Sequence, residues 1–246
     1  MRTTELIDVT EAEGLLLLST ALGTGWEAGV PSCPGWRMRE LVGHQGNVHR
    51  WAEEYVRAGL TQPRRVPDEQ PADDELAAWF EDGLRRLVAS LRAADEGSQA
   101  WTFLPGAPDP RAFWARRQAH ETTIHRVDAE LAAGGAPTPV APEVALDGVD
   151  ELLTAWHGRS RSPLRTERPA VLAVRSAEGP EWTLHLGPEA PRPVREAAGR
   201  WDCRISGPAQ ELYLALWNRR SSAGDGLVVE GDEHLMEVWR SKARIA

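Results

Sequence analysis

Cysteine is nearly absent: the 246 residues hold two, Cys33 and Cys203, far apart and without CxxC spacing. That excludes a disulfide framework and any metal site built from thiolates alone. A reaction that needs a thiol would draw it from a separate molecule. Long apolar runs are missing too. The longest candidate, Gly14 to Leu18, falls far short of the ~18 to 20 residues that span a bilayer. The opening Met1-Arg2-Thr3-Thr4-Glu5 has no apolar signal segment, so the expected location is the cytoplasm, away from membranes. An excess of positive charge is also lacking. The formal net charge is −9 with acid and base interleaved, which disfavours nucleic acid as a partner, because neutralising phosphates usually needs a basic face. Lysine occurs once, at Lys242, and isoleucine only at positions 7, 124, 205 and 245. No rule of folding demands this bias. It matches a GC-rich coding sequence and hints at source.

What is present is an ordinary globular composition, 41% hydrophobic and 26% charged, in a chain long enough for one large domain or two modest ones. The first two-thirds reads as helices. Glu5 to Leu22 is amphipathic, with Leu15, Leu16, Leu18 and Leu22 near one face, and stops at Gly23-Thr24-Gly25. A Pro31–Gly35 turn leads into a second helix over about 36–58, where Leu41, His44, Val48, Trp51 and Tyr55 recur at 3-4-3-4 spacing. A proline-punctuated loop over 61–72 precedes a third helix over about 74–94, and a fourth runs over about 112–133. Four such helices joined by polar loops predict a helical bundle. A fifth, shorter helix covers 143–157. The basic, aperiodic Gly158–Pro169 stretch predicts a domain boundary, giving domains over 1–158 and 170–246. The remainder alternates short strand-like runs (171–175, 182–186, 201–205 and 227–229) with two short helices, a small α+β domain.

Two helices carry polar, metal-competent side chains where a bundle should have core. His44 shares the inward stripe of the second helix. In the fourth helix Glu121 and His125 stand at i and i+4, which stacks them on one face with Cβ atoms ~5 to 6 Å apart. Two histidines and one glutamate form a three-ligand zinc set that leaves a position open for water or substrate. Such a site would carry 2 − 1 = +1 charge, and an incoming thiolate would neutralise it. Each element also has a plainer reading: His44 as a satisfied core histidine, and Glu121 with His125 as a surface helix pair. His120 points about 100° away from Glu121, His49 lies on the far side of its helix from His44, and His157, His185 and His234 are isolated. Asp128, one turn beyond His125, reads either as a group orienting a ligand or, more simply, as half of a helix-surface salt bridge. Cys33, in a turn with two prolines, reads as a packing residue rather than a nucleophile.

Three segments in order, Val30-Pro31-Ser32-Cys33-Pro34-Gly35-Trp36, Arg39-Glu40-Leu41-Val42-Gly43-His44 and Glu121-Thr122-Thr123-Ile124-His125-Arg126-Val127-Asp128, resemble the mycothiol-dependent maleylpyruvate isomerase family, among the DinB-like metal-binding helical bundles. The stretch Asp202 to Arg240 resembles that family's C-terminal domain, of sterol-carrier-like α+β shape. The resemblance implies a zinc ion held by His44, Glu121 and His125, and mycothiol, an actinobacterial thiol, as cosubstrate. It also implies an arginine from the C-terminal domain that binds substrate. Arg219 matches its position, but Asn218 stands where the family usually has glycine and Arg220 follows, so either arginine is a candidate. The expected partners are a small-molecule thiol and a small electrophile of the maleylpyruvate type, and the expected reaction is isomerisation or net S-transfer. Two other classes stay open: a non-catalytic ligand-binding module, and a zinc-dependent hydrolase that uses water in the open position.

Overall fold

The computed structural model describes residues 1–95, 97–104, 109–222 and 226–243, and the chain divides into two compact units, Met1–Thr138 and Pro139–Ala246. The first holds four long helices: α1 (Thr3–Thr24), α2 (Met38–Ala58), α3 (Asp73–Ala93) and α4 (Pro110–Ala132). They form the expected bundle, with α1 packed on α4 and α2 on α3. No helix among the described residues is long and apolar enough to cross a membrane.

The face of α1 differs from the expected one. Leu15 and Leu22 are exposed, while Ile7, Gly14, Leu17 and Ala21 are buried. The four consecutive leucines conceal the period. Close packing selects the small residues instead, since a Cβ on Gly14 would lie 2.6 Å from a methyl of Leu84 on α3. The helix α2 starts two residues later than expected because Trp36 belongs to the preceding turn. That turn closes with the Trp36 amide donating to the Cys33 carbonyl at 3.0 Å and the Val30 amide to the Trp36 carbonyl at 2.9 Å. Gly35 at φ 90° follows Pro34, the pairing a type II turn requires. Glu40 then accepts from the Arg37 amide at 2.8 Å and caps the helix. The helix α4 begins at an Asp109 cap, whose carboxylate accepts from the Ala112 amide, followed by Pro110 in the first turn.

Much of the aromatic content is core. Trp51, Tyr55, Trp101, Phe103, Phe113 and Trp114 pack as one cluster, with the Tyr55 and Trp114 rings stacked at 5.2 Å. The Tyr55 hydroxyl also donates to the Gln62 carbonyl and accepts from the Arg64 amide, fastening the start of the 61–72 loop to α2.

The second unit corrects the expected boundary. The helix α5 (Pro142–Asp150), which runs on as a π-helical turn over Glu151–Trp156, packs against α6 (Ala209–Leu216) and belongs to this unit. The break therefore lies at Thr138, not at Gly158–Pro169, where Ser162 and Leu164 are buried and His157 bonds to Ser162. Pro and Gly density reports a local loop. Which unit a helix joins is decided by where its apolar face, here Val144, Val149, Leu152 and Leu153, finds partners. The unit's five-stranded sheet has the order β3-β2-β1-β4-β5, from β1 (Ala170–Ser176), β2 (Glu181–Leu186), β3 (Arg192–Val194), β4 (Cys203–Gly207) and β5 (Val228–Gly231). β1 pairs parallel with β4, and the other pairs are antiparallel. The unexpected strand is β3, too short and too rich in proline and arginine to show alternation. A last helix, α7 (His234–Lys242), buries Trp239.

The helix α4 has 16 of its 23 residues buried, so its polar side chains have to be paired internally. Arg126, fully buried, donates to Glu13 of α1 at 2.5 Å, to Glu130 at 2.7 Å and to the Thr138 carbonyl at 2.8 Å. Replacing it with alanine leaves two partly buried carboxylates uncompensated. Arg126→Ala is expected to cost about 3 to 5 kcal/mol, the range for breaking a buried ion pair from one side, read as a lower urea midpoint with an unchanged slope.

Candidate metal centre

Three side chains from α2 and α4 converge in the first unit. His44 Nε2 lies 3.8 Å and His125 Nε2 3.5 Å from the same oxygen of Glu121, Oε1. One donor atom from each residue falls within 4.8 Å of the other two. A tetrahedral zinc ion with bonds of roughly 2.0 to 2.2 Å spaces its ligand atoms about 3.4 Å apart, so the trio can hold such an ion with small adjustments. The donor set is also right: two imidazoles and one carboxylate suit a borderline cation and offer too few oxygens for calcium. The two imidazoles meet edge to face at 5.2 Å, and the Trp36 ring lies 4.9 Å from that of His44 and 6.3 Å from that of His125.

Two of the three side chains are also held from behind. Arg117, one turn before Glu121 and almost fully buried, donates to Glu121 Oε2 at 2.8 Å, leaving Oε1 for the histidines. Burial alone would raise the Glu121 pKa, but Arg117 and both imidazoles overcome it and hold the carboxyl well below its usual range. Asp128 bonds to His125 Nδ1 at 2.9 Å, which fixes the ring with Nε2 toward Glu121. It is fully buried, so the reading of Asp128 as half of a surface salt bridge is wrong and the orienting role stands. Cys33 Sγ donates to the same Asp128 oxygen at 3.5 Å, so this cysteine stands directly behind the trio. Its residue type and proline-flanked turn gave no sign of that. Arg117 was legible in principle, since Arg117, Glu121, His125 and Asp128 follow one another at four, four and three residues along one helix face.

The other histidines lie elsewhere. His49 is buried, bonds to Gln45 at 2.8 Å and Thr122 at 3.0 Å, and burial pushes its pKa down to about 3. It was expected on the far side of α2 and is instead a core residue between α2 and α4. His120 is fully buried, and neither it nor His49 belongs to a metal-competent group among the described residues. Arg219 and Arg220 lie in the turn after α6, in the second unit. Arg219 donates to the Trp217 carbonyl at 2.8 Å, and Arg220 is ion-paired with Glu211. Asn218 sits at φ 60°, in the left-handed region. Asparagine is the residue that best replaces glycine there, so this departure from the family pattern preserves the backbone path.

Two family models cover most of the chain: the mycothiol maleylpyruvate isomerase N-terminal domain over residues 10–130, and the C-terminal domain of the same family over residues 143–237. The chain belongs to the mycothiol maleylpyruvate isomerase family. Among solved structures it is similar to the crystal structure of the mycothiol-dependent maleylpyruvate isomerase, with TM-score 0.63 and 15% identity over 94% of this chain and 93% of that one. A histidine-to-alanine variant of that isomerase gives TM-score 0.64 at the same identity and coverage. Compared with curated protein sequences, the chain has no match. The gap between the two family models, 131–142, contains the Thr138 break between the units.

Without metal, burial works against a charged His125, but bonding to Asp128 and Glu121 outweighs it and pushes the pKa up to about 9. A raised histidine pKa contributes stability that is complete below the unfolded value of ~6.5 and is lost as pH climbs through the folded value. Chelator-treated protein is therefore expected to lose stability between pH 6.5 and about 9, measured by urea unfolding across that range. Asp128→Asn should flatten the loss.

Proposed function

We propose that this chain is a zinc-dependent, mycothiol-using enzyme that isomerises, or adds sulfur to, a small electrophile of the maleylpyruvate type. His44, Glu121 and His125 hold the metal. The convergence of these three residues on one point, inside a chain of this family, is the observation that carries the reading. A zinc ion bound there would supply the positive charge that favours the thiolate over the thiol.

The chain's own residues prepare that chemistry. Glu121 contributes the only formal negative charge among the three ligands, so the loaded site keeps a net charge of +1 and attracts an anionic sulfur. Arg117 keeps Glu121 ionised and fixes which oxygen faces the ligands. Asp128 keeps the His125 ring in the tautomer that presents Nε2. Sulfur adding to a conjugated carbon–carbon double bond leaves a single bond about which the adduct rotates. Eliminating the same sulfur then returns the isomer and the thiol, and retaining it gives net S-transfer. Hydrolysis is the second reading, because the donor set would serve a water molecule equally well.

For the substrate's carboxylate we infer Arg219, whose position matches the family pattern, with Arg220, the next residue, second. Arginine forms two parallel bonds to a carboxylate where lysine cannot. Arg219→Lys is expected to lower kcat/KM on an acidic substrate by about tenfold or more and to leave a neutral electrophile almost unaffected. Equal losses on both would remove Arg219 from that role.

The reading as a whole is tested by metal analysis and turnover. The purified chain should carry about one zinc, as three protein ligands to one ion require. His125→Ala should lose it while His120→Ala keeps it. Conversion of maleylpyruvate should need added mycothiol. Turnover of ester or amide substrates without any thiol would favour the hydrolase, and equal metal content in the two variants would dismiss the trio.

A further inference from the structure

A cavity of about 250 Å³ opens beside His44 within the first unit. Gly43, His44 and Asn47 of α2 line it on one side and the 66–71 segment on the other, with Trp36 and Arg39 also in its lining. His44 and Trp36 thus belong both to this cavity and to the surroundings of the trio. We propose that the cavity receives one ring of the polyhydroxylated part of the thiol cosubstrate while its sulfur is directed to His44, Glu121 and His125. The inference rests on the thiol-using reading above and adds to it a binding site.

Three features point to a neutral polyol. The first is the lining's charge. Arg39 is ion-paired with Asp73 at 2.9 Å, and the Asp68 carboxylate accepts from the Gln70 amide at 2.8 Å. With one guanidinium against the carboxylates of Glu40, Asp68 and Glu69, the lining presents donors and acceptors and a net negative charge, which suits hydroxyl groups and disfavours a substrate carboxylate. The half-buried Trp36 indole adds a flat apolar face of the kind that packs on a sugar ring. Mycothiol, whose cysteine is attached to an amino sugar and a cyclitol, has this chemistry. Its polyol part carries hydroxyls and no acid.

The second feature is that the wall is fixed beforehand. The Asn47 amide donates to the Glu69 carbonyl and accepts from the Glu69 amide, each at 3.1 Å, and the Trp79 indole donates to the Glu69 carboxylate at 3.0 Å. A loop without regular structure is thereby held against α2 one turn beyond His44, which lowers the ordering cost of binding. The third feature is Gly43. Glycine inside a helix is disfavoured, and a Cβ here would meet nothing within 4 Å. What the missing side chain leaves is space beside His44. The volume lies below the ~300 to 1,000 Å³ of pockets that enclose drug-sized ligands, so it accommodates about one ring.

The test compares mycothiol with the amide of N-acetylcysteine, which has the same thiol and no free acid but lacks the polyol, binding each by calorimetry to the zinc-loaded wild type and to Gly43→Leu. The wild type should bind mycothiol at least about tenfold more tightly, and Gly43→Leu should erase that preference while keeping zinc content and affinity for the simple thiol. Asp68→Ala, a substitution at an exposed position, should weaken mycothiol selectively. Equal wild-type affinity for the two thiols, or a preference that survives Gly43→Leu, overturns the cavity assignment while leaving the metal trio intact. A wild type that binds neither thiol overturns the thiol-using reading itself. Should Gly43→Leu fail to hold zinc, Asp68→Ala decides: an unchanged preference in that variant refutes the proposal.

Discussion

Glu121 is a carboxylate held ionised at the meeting of two helices, and the guanidinium of Arg117 is what makes that tolerable. A charge withdrawn from water must be met by an opposite charge or by hydrogen bonds in good geometry. The sequence answers with a run along one face of α4, Arg117, Glu121, His125 and Asp128, in which each group's partner stands one turn away. Bringing α2 alongside adds His44 to the same oxygen of Glu121. The Val30–Trp36 turn adds the Cys33 thiol behind Asp128 and the Trp36 ring beside both imidazoles. Bundle and site are thus one construction. The side chains that orient the trio are also those that let α4 be buried along most of its length.

How much of this the sequence discloses depends on whether the relevant signal is local. The four long helices, the turn before α2 and the inward placement of His44 follow from spacing and turn chemistry. So does the Glu121/His125 pair, because i and i+4 on a helix means one face whatever surrounds it. The orientation of α1 does not follow, since a leucine run has no period and the deciding contact is Gly14 against Leu84. The place of α5 does not follow either, because its partner α6 lies far along the chain. Cys33 is the clearest case. A proline-flanked turn reads as punctuation, and only the closed turn brings its sulfur to Asp128. His49 is the converse: a helical wheel puts it away from His44, yet α2 is covered on more than one side and the residue is core.

Asn218 shows how a departure from a family pattern can carry no structural change. Glycine is favoured where φ is positive, and asparagine is the commonest alternative because its short polar side chain tolerates that region. At φ 60° the backbone after α6 keeps its course, so the departure touches the side chain alone, immediately before the two arginines.

The contrast between α4 and the 61–72 loop bears on how such a protein diversifies. Most of α4 is buried, and its candidate metal ligands are tied to the core, so mutational drift there costs stability as well as the geometry of the trio. Not one residue of the loop is buried. It keeps its place mainly through the Tyr55 hydroxyl, the Asn47 amide and the Trp51 indole, which grip backbone atoms, while the Glu69 carboxylate on Trp79 and the exposed Arg64–Glu54 pair add side-chain contacts. Side chains along the loop are therefore open to selection at little thermodynamic penalty. A homologue that uses a different thiol is expected to keep the trio and to differ along this wall, changing the cosubstrate it accepts without touching how it reacts.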